Sequence, residues 1–268
     1  MKWFDCIREQ AVVGCDLDGQ KRLEVHRAIL ERKPMIRDVF LEFHRLFRAL
    51  ERRYFSGEGF LIELGSGASP VRDSFPEVLA TDVVFSPSLD CVIDAQNMAF
   101  SDGSVKAIFG QNCFHHFPDP ERFFEELQRI LVPGGGAILI EPYFGPLAKW
   151  MYQRLFRTEG FDKDYPDWNA PVTGAMIGAN QALSYIVFVR DHPQFRERFP
   201  NLKVVHMAPL GNYLRYLVSG GLNFRQLLPN FTIGLLKAVE HGLAGFNAYL
   251  ALHHVVVLRK ETGDTVSN

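Results

Sequence analysis

Apolar and polar residues follow two different periods along this chain. Between Ile36 and Leu50 the apolar residues recur at helical spacing, and Pro34 just upstream suits the first turn of a helix. The first 55 or so residues are therefore predicted to be helical. From residue 60 onward, short apolar runs end in Gly or Asp and alternate with helical stretches. This alternation predicts an α/β fold in which crossover helices join parallel strands.

The apolar runs predict seven strands. Their positions are 60–64, 78–82, 91–93, 105–110, 136–141, 202–207 and 253–259. The clearest helix lies between the fourth and fifth strands, where Asp119 can cap its start and the run Pro133-Gly134-Gly135 can stop it. The segments 144–200 and 211–250 are too long to be simple turns, and we expect them to form a lid.

Composition and charge exclude several classes of protein. The 268 residues include 29 Lys and Arg against 31 Asp and Glu, so the chain is not a generally basic nucleic-acid binder. A hydrophobic content of 47% is enough for a large buried core. The cysteines are far apart and form no C-x-x-C pair, which predicts neither a zinc ribbon nor a dense disulfide framework and favours a reducing cytoplasm.

One segment departs from this charge balance. Residues 21–53 carry ten basic and five acidic side chains. Such an excess could hold a membrane surface or an anionic substrate. The favoured interpretation is a solvated outer face.

The first sign of chemistry is the run Leu61 to Pro70, LIELGSGASP, in which an apolar strand enters a glycine-rich turn. Small residues there let a ligand approach the backbone, and a following helix start favours negative charge. A dinucleotide fingerprint would need Gly or Ala where Pro70 stands, and the Gly-Lys-Ser/Thr of a phosphate-binding loop is missing. A ligand without a pyrophosphate fits better.

Two acidic residues follow at the ends of neighbouring strands. Asp82 closes the second strand, and a carboxylate there can accept both hydroxyl protons of a ribose. Asp94 could accept from an adenine amino group, while the backbone of Ala95 meets the edge of the ring. Three strand ends in a row would then hold a nucleoside.

With these residues in view, the chain resembles the class I S-adenosylmethionine-dependent methyltransferases, and in particular the methyltransferase type 11 group. The resemblance covers about residues 58 to 142 and rests on five motifs in the family's order. They are Glu63 to Gly67; Asp82; Asp94-Ala95 with Phe100 to Ser104; Asn112 to Phe117 with Asp119-Pro120; and Leu131 to Gly135.

The resemblance implies a Rossmann-like, doubly wound, mostly parallel seven-stranded sheet whose last strand is antiparallel. Residues 1–57 would form an N-terminal helical cap. Residues 58–268 would form the methyltransferase domain, with acceptor-binding insertions at about 144–200 and 211–250.

It also implies that S-adenosylmethionine is the cofactor. Carried over position by position, the motif from Glu63 to Gly67 would bind the cofactor, with Gly65 and Gly67 packed against its amino-acid part. Asp82 would hold the ribose, and Asp94 with Ala95 would hold the adenine. Gly110 and Gln111 would flank the methionine and sulfonium part. Ser69 stands where many relatives have a third glycine.

Methyl transfer from a sulfonium is an in-line displacement in which alignment can supply much of the catalysis without a metal. A hydroxyl acceptor would still benefit from a base. His115 and His116 follow the fourth strand on the acceptor side, and of the two we prefer His115; local capping or packing is the alternative. Glu141, after the fifth strand, is a further candidate. We predict no metal site, because the adjacent His253 and His254 would point to opposite faces of a strand.

The methyl acceptor must be inferred from the flanking segments. The runs Asn180 to Tyr185 and Val218 to Leu222 look similar to bacterial methyltransferases associated with surface-polysaccharide biosynthesis. This resemblance implies O-methylation of a hydroxyl of a sugar or lipid-linked glycan, by a cytoplasmic protein with peripheral contact to the inner face of the membrane.

Two alternatives stay open. One is methylation of a small apolar metabolite or lipid, and the other is a non-catalytic cofactor-binding or scaffold protein. No nucleic-acid partner is predicted. The run Gln111 to Phe114 stands where nucleic-acid and protein methyltransferases of another class carry Asn/Asp-Pro-Pro-Tyr/Phe.

Overall fold

A seven-stranded sheet forms the centre of the protein. The computed structural model describes residues 7–16, 19–155, 159–169 and 179–262. The strands are β1 Phe60–Leu64, β2 Val78–Asp82, β3 Cys91–Val92, β4 Val105–Gln111, β5 Leu131–Pro142, β6 Leu202–Pro209 and β7 His253–Lys260. They lie in the order β3-β2-β1-β4-β5-β7-β6, and β7 runs antiparallel to both of its neighbours while the other described pairings are parallel. The fold predicted from the sequence is confirmed.

Eight helices are labelled in chain order. They are α1 Gln20–Arg32, α2 Pro34–Tyr54, α3 Pro120–Ile130, α4 Pro146–Arg154, α5 His192–Arg198, α6 Tyr213–Ser219, α7 Ile233–Gly242 and α8 Asn247–Leu250. A short helical stretch, Leu183–Tyr185, continues into the π-helical turn Ile186–Arg190. Short 3-10 turns lie at Gln10–Val12, Val71–Asp73, Phe114–His116, Asn230–Thr232 and Ala244–Phe246.

Both faces of the sheet are covered, as expected for parallel strands that are apolar throughout. On one face α2 packs Phe43 and Phe47 against Phe109 of β4. On the other face Phe124 of α3 and Phe188 pack against the sheet, together with the stretch that leads into α5. The predicted N-terminal helical segment therefore shares its core with the sheet.

Local signals in the sequence place several element boundaries correctly. Pro34 begins α2, and the Asp119 carboxylate caps α3 by accepting from the backbone N–H groups of Glu121 and Arg122 at 3.1 and 3.2 Å. The end of α3 differs from the prediction, because Leu131 is already extended and begins β5. Since a proline disfavours a helical conformation at the residue before it, Pro133 stops the helix earlier than its own position.

The two long insertions contain regular structure. Part of the segment 144–200 packs into the core as the layer around 183–199, and the segment 211–250 contains α6, α7 and α8. A lid and a boundary between residues 57 and 58 stay predictions. Among the described residues, no helix combines the length and the apolar character needed to cross a bilayer.

Among the described glycines, Gly136 in β5 has the least room for a β-carbon. A β-carbon there would lie 2.0 Å from the carbonyl oxygen of Leu258 and 2.4 Å from the ring of Phe55. We expect Gly136→Ala to lower the free energy of unfolding by about 3 kcal/mol, since neither the sheet backbone nor a buried ring can move aside freely.

The matched control is Gly234→Ala in α7, where a β-carbon meets nothing within 4 Å. This substitution should raise the free energy of unfolding by roughly 0.5–1 kcal/mol. Denaturant unfolding of both variants measures the difference. Wild-type stability in Gly136→Ala would contradict the close approach.

Candidate functional site

A cavity of about 630 Å³ opens at the carboxyl ends of β1, β2, β3 and β4. The connections change sides of the sheet between β1 and β4, and ligands of open α/β sheets bind at such a switch point. The floor and sides come from the residues that follow the strands: Gly65 to Ser69, Asp82 to Val84, Ile93 to Gln96, Gln111 to Cys113 and His116 to Pro118.

The glycine-rich turn after β1 is held in a left-handed conformation. Gly65 and Gly67 have φ angles of +62° and +53°, values that favour glycine. A β-carbon on Gly65 would also lie 2.7 Å from the Cβ atom of Cys113. Below the turn, a carboxylate oxygen of Glu63 accepts from the backbone N–H of Val71 at 2.8 Å, and burial raises the pKa of Glu63 to about 8. The turn can therefore bring its backbone close to a ligand.

The Asp82 carboxylate lies directly beneath this turn. It is 7% exposed and accepts from the backbone N–H of Gly67 at 3.2 Å and of Val84 at 3.0 Å. Asp94 lies at the exposed rim, where its carboxylate accepts from the backbone N–H of Gln96 at 2.9 Å. Both carboxylates line one cavity together with the buried Ala95.

The end of β4 supplies a further wall. Gln111 lines the cavity, whereas Gly110 does not; a β-carbon on Gly110 would lie 2.8 Å from the Cys113 sulfur, so this glycine permits packing below the cavity. Asn112 also lines the cavity and has a φ of +51°, the one positive value at a non-glycine residue in the described part of the chain. Our sequence reading placed no cofactor contact on Asn112, although its position just after a strand end was a usable signal.

Glu141 anchors the turn that follows β4. Its carboxylate is fully buried and accepts from the backbone N–H groups of Cys113 and Phe114 at 3.0 Å and of His115 at 3.3 Å. It also lies 2.5 Å from Nδ1 of His115. Glu141 does not line the cavity, so its most direct effect is to position the turn.

His115 is held between two carboxylates. Its Nε2 lies 3.2 Å from Glu159, opposite the contact to Glu141. Burial lowers the pKa of His115, but the two carboxylates outweigh burial and raise this pKa to about 10. His115 is thus an imidazolium at neutral pH, and its side chain does not line the cavity.

His116 differs from its neighbour in both position and charge. It lines the cavity, and its Nδ1 has no hydrogen-bond partner among the described residues. Burial and the positive charge of His115, whose ring centroid is 4.2 Å away, lower the pKa of His116 to about 3. A neutral imidazole therefore faces the space where a ligand would bind.

One group of side chains has the composition of a metal site. The ligand atoms of His115, His116 and Glu159 all lie within 4.8 Å of one another. The sequence did not predict this group, because Glu159 lies in a stretch without a pattern. His253 and His254, by contrast, contact different partners: the ring of Tyr216 for the first and the Ser184 hydroxyl for the second.

Parts of the chain are similar in sequence to known methyltransferases. A family model described as "Methyltransferase domain" matches residues 71–139. The matched stretch, 69 of the 268 residues, resembles a methyltransferase domain.

A curated relative, the demethylmenaquinone methyltransferase of Thermus thermophilus, is 30% identical over 126 residues, which are 46% of this chain and 51% of that protein. The match thus spans about half the length of that relative. It agrees with the methyltransferase family that the sequence motifs predict.

Solved structures of methyltransferases resemble the chain more distantly. Geranyl diphosphate C-methyltransferase from Streptomyces coelicolor is 14% identical, with 84% of this chain and 82% of that chain covered and a TM-score of 0.48. Phosphoethanolamine N-methyltransferase 2 from Haemonchus contortus is 11% identical, with 81% and 52% covered and a TM-score of 0.42.

Helix α1 contributes residues to the cavity that sequence reasoning missed. Arg22 and His26 are at most 9% exposed and line the cavity, and the side chain of His26 hydrogen-bonds Asn223. The basic excess of residues 21–53 was the available signal. At least one of those charges, Arg22, faces a cavity, whereas the favoured interpretation placed them on a solvated face.

The charge of His115 predicts a pH dependence of stability. Its pKa of about 10 in the folded protein exceeds the ordinary 6.5, so its ion pairs stabilise the fold fully below pH 6.5 and are lost as the pH rises toward 10. Between pH 7 and 10, the free energy of unfolding should fall by at least about 1 kcal/mol more in the wild type than in His115→Gln. Denaturant unfolding at several pH values measures this, and equal slopes would contradict the charged state.

Proposed function

We propose that this protein is an S-adenosylmethionine-dependent methyltransferase. The observation that carries the proposal is one cavity at three strand ends, which joins the glycine-rich turn, the buried Asp82 carboxylate and the Asp94-Ala95 pair. A nucleoside carrying an amino acid offers hydroxyl, amino and carboxylate groups that suit these surfaces.

The residues present fit this cofactor. Both oxygens of Asp82 are already oriented by backbone N–H groups, which fixes the carboxylate for the two hydroxyls of a ribose. Arg22 adds a buried positive charge to the wall, which suits the carboxylate of an amino acid. The Oδ1 atom of Asn112 is buried without a hydrogen-bond partner among the described residues, as expected for an atom that accepts a hydrogen bond from a ligand.

When bound, S-adenosylmethionine supplies a methyl group on a positively charged sulfur. The task of the chain is then to align an acceptor with that group and to exclude water. We place the base for a hydroxyl acceptor at His116, because it lines the cavity and its Nδ1 has no hydrogen-bond partner among the described residues. Its pKa of about 3 makes it a weak base, so its contribution to the rate is modest. The preferred candidate from the sequence, His115, is protonated between two carboxylates and does not line the cavity.

We propose a hydroxyl of a sugar or lipid-linked glycan as the acceptor. The cavity wall opposite the strand ends carries His26, Asn223 and Tyr216, whose polar groups can hydrogen-bond to hydroxyls. A second candidate is an apolar acceptor, favoured by the similarity to a demethylmenaquinone methyltransferase and by the cavity residues Leu23 and Leu222.

Calorimetric titration with S-adenosylmethionine and S-adenosylhomocysteine, with NAD as the control ligand, tests the cofactor. We expect saturable binding of the first two alone. Asp82→Asn should weaken that binding by about 10- to 100-fold, because it removes the charge from two hydrogen bonds to the ribose. The matched control Asp167→Asn changes an exposed carboxylate and should bind like the wild type. Wild-type affinity in Asp82→Asn would contradict the ribose assignment.

A second experiment tests His116 as the base. With a hydroxyl acceptor found by screening sugars, lipid-linked glycans and quinols, His116→Gln should reduce turnover by about tenfold while the affinity for S-adenosylmethionine stays within about twofold. His192→Gln, a histidine far along the chain at the start of α5, is the control. Unchanged turnover in His116→Gln would remove this residue from the mechanism. Cofactor binding without transfer to any acceptor class would favour the scaffold alternative.

A further inference from the structure

The segment 227–249 presents an apolar surface to solvent, which we call the outer face. Phe231 is 87% exposed, Leu235 67% and Tyr249 62%. Phe231, Leu235 and Val239 follow one another at intervals of four residues, so they form one stripe along α7 and the turn before it. The other exposed apolar residues of this face are Leu227, Leu228 and Phe246. Exposed apolar patches of this kind mark interaction sites.

The charged residues of α7 are paired with residues of neighbouring helices. Glu240 is 5% exposed and bonds Arg215 at 2.7 Å, and the Lys237 ammonium bonds Asp38 at 2.8 Å. Apart from His241, Lys237 and Glu240 are the basic and acidic residues of the segment 227–249. A helix on a water-exposed surface normally has its apolar side inward and its charges outward. In α7 the most exposed side chains are apolar, and both charges are paired with neighbouring helices, which indicates that something apolar covers the outer face.

The segments that flank or pack against the outer face carry basic residues. Helix α4 packs against α8 and adds Trp150, which is 53% exposed. Lys149, Arg154 and Arg225 are exposed and form no ion pair with any described residue. The segments 144–155 and 220–250 contain one acidic residue, the buried Glu240. Apolar and aromatic side chains combined with basic ones are typical of surfaces that lie in a membrane interface.

The charge distribution decides between a bilayer and a second copy of the chain. In a symmetric dimer the same patch faces itself, so the unpaired basic residues around it would face one another without acidic partners. Anionic lipid headgroups supply the missing negative charge. We propose that the outer face docks onto the surface of a membrane that contains anionic lipids. This docking does not depend on the methyltransferase proposal.

Flotation with vesicles tests the docking. The wild-type protein should bind vesicles of phosphatidylcholine mixed with phosphatidylglycerol more tightly than vesicles of phosphatidylcholine alone. The double variant Phe231→Ser/Leu235→Ser should bind both at least tenfold more weakly. Its matched control is Val13→Ser/Val92→Ser, which changes two exposed apolar residues elsewhere and should keep wild-type binding. Thermal unfolding checks that both variants fold.

A charge variant separates the electrostatic contribution to membrane binding from the apolar one. Lys149→Gln/Arg225→Gln should weaken binding to the mixed vesicles by about fivefold for each residue replaced, and binding to phosphatidylcholine alone should not change.

Absence of vesicle binding by the folded wild type would overturn the proposal. A dimer in analytical ultracentrifugation that Phe231→Ser/Leu235→Ser dissociates, without vesicle binding, would overturn it too and assign the face to a second copy. Cofactor titration measures binding in the cavity at the strand ends, and vesicle flotation measures binding by the outer face. Failure of one proposal is therefore distinguishable from failure of the other.

Discussion

The buried carboxylate of Glu141 is the contact on which the geometry of the site depends. It lies at the end of β5 and accepts three consecutive backbone N–H groups from the turn after β4. Those groups begin a 3-10 turn and would otherwise be buried without acceptors, which costs free energy comparable to the lost hydrogen bonds. One side chain therefore ties two neighbouring strands together at their carboxyl ends and fixes the part of the cavity wall that follows β4.

The same carboxylate divides two adjacent histidines into different roles. By contacting Nδ1 of His115, Glu141 holds that ring away from the cavity and, with Glu159, keeps it charged. Because two imidazolium groups in contact would repel, the charge on His115 helps to keep His116 neutral. The neutral ring is the one at the cavity. One carboxylate thus gives two adjacent histidines different charges and different positions relative to the cavity.

The sequence predicts what local physics determines. The bounds of β1 and β2, the cap at Asp119 and the glycine-rich turn all depend on neighbouring residues, and the structure has them where the sequence places them. Contacts across long stretches of chain are different in kind. No spacing rule brings Glu159 to His115 or Arg22 to the cavity, because these contacts depend on how whole helices pack. The choice between His115 and His116 likewise depends on the carboxylates of Glu141 and Glu159 beside His115, and these contacts are visible only in three dimensions.

Helix α6 connects the cavity to the outer face. Its Arg215 is 4% exposed and pairs with Asp38 and Glu42 of α2 and with Glu240 of α7. A charge buried this deeply destabilises the fold unless it is paired, so the three carboxylates fix the distance between α2, α6 and α7. The next residue along α6, Tyr216, belongs to the cavity wall. One ion-pair network therefore fixes both the helix that carries the surface we assign to the membrane and the helix that supplies Tyr216 to the cavity wall.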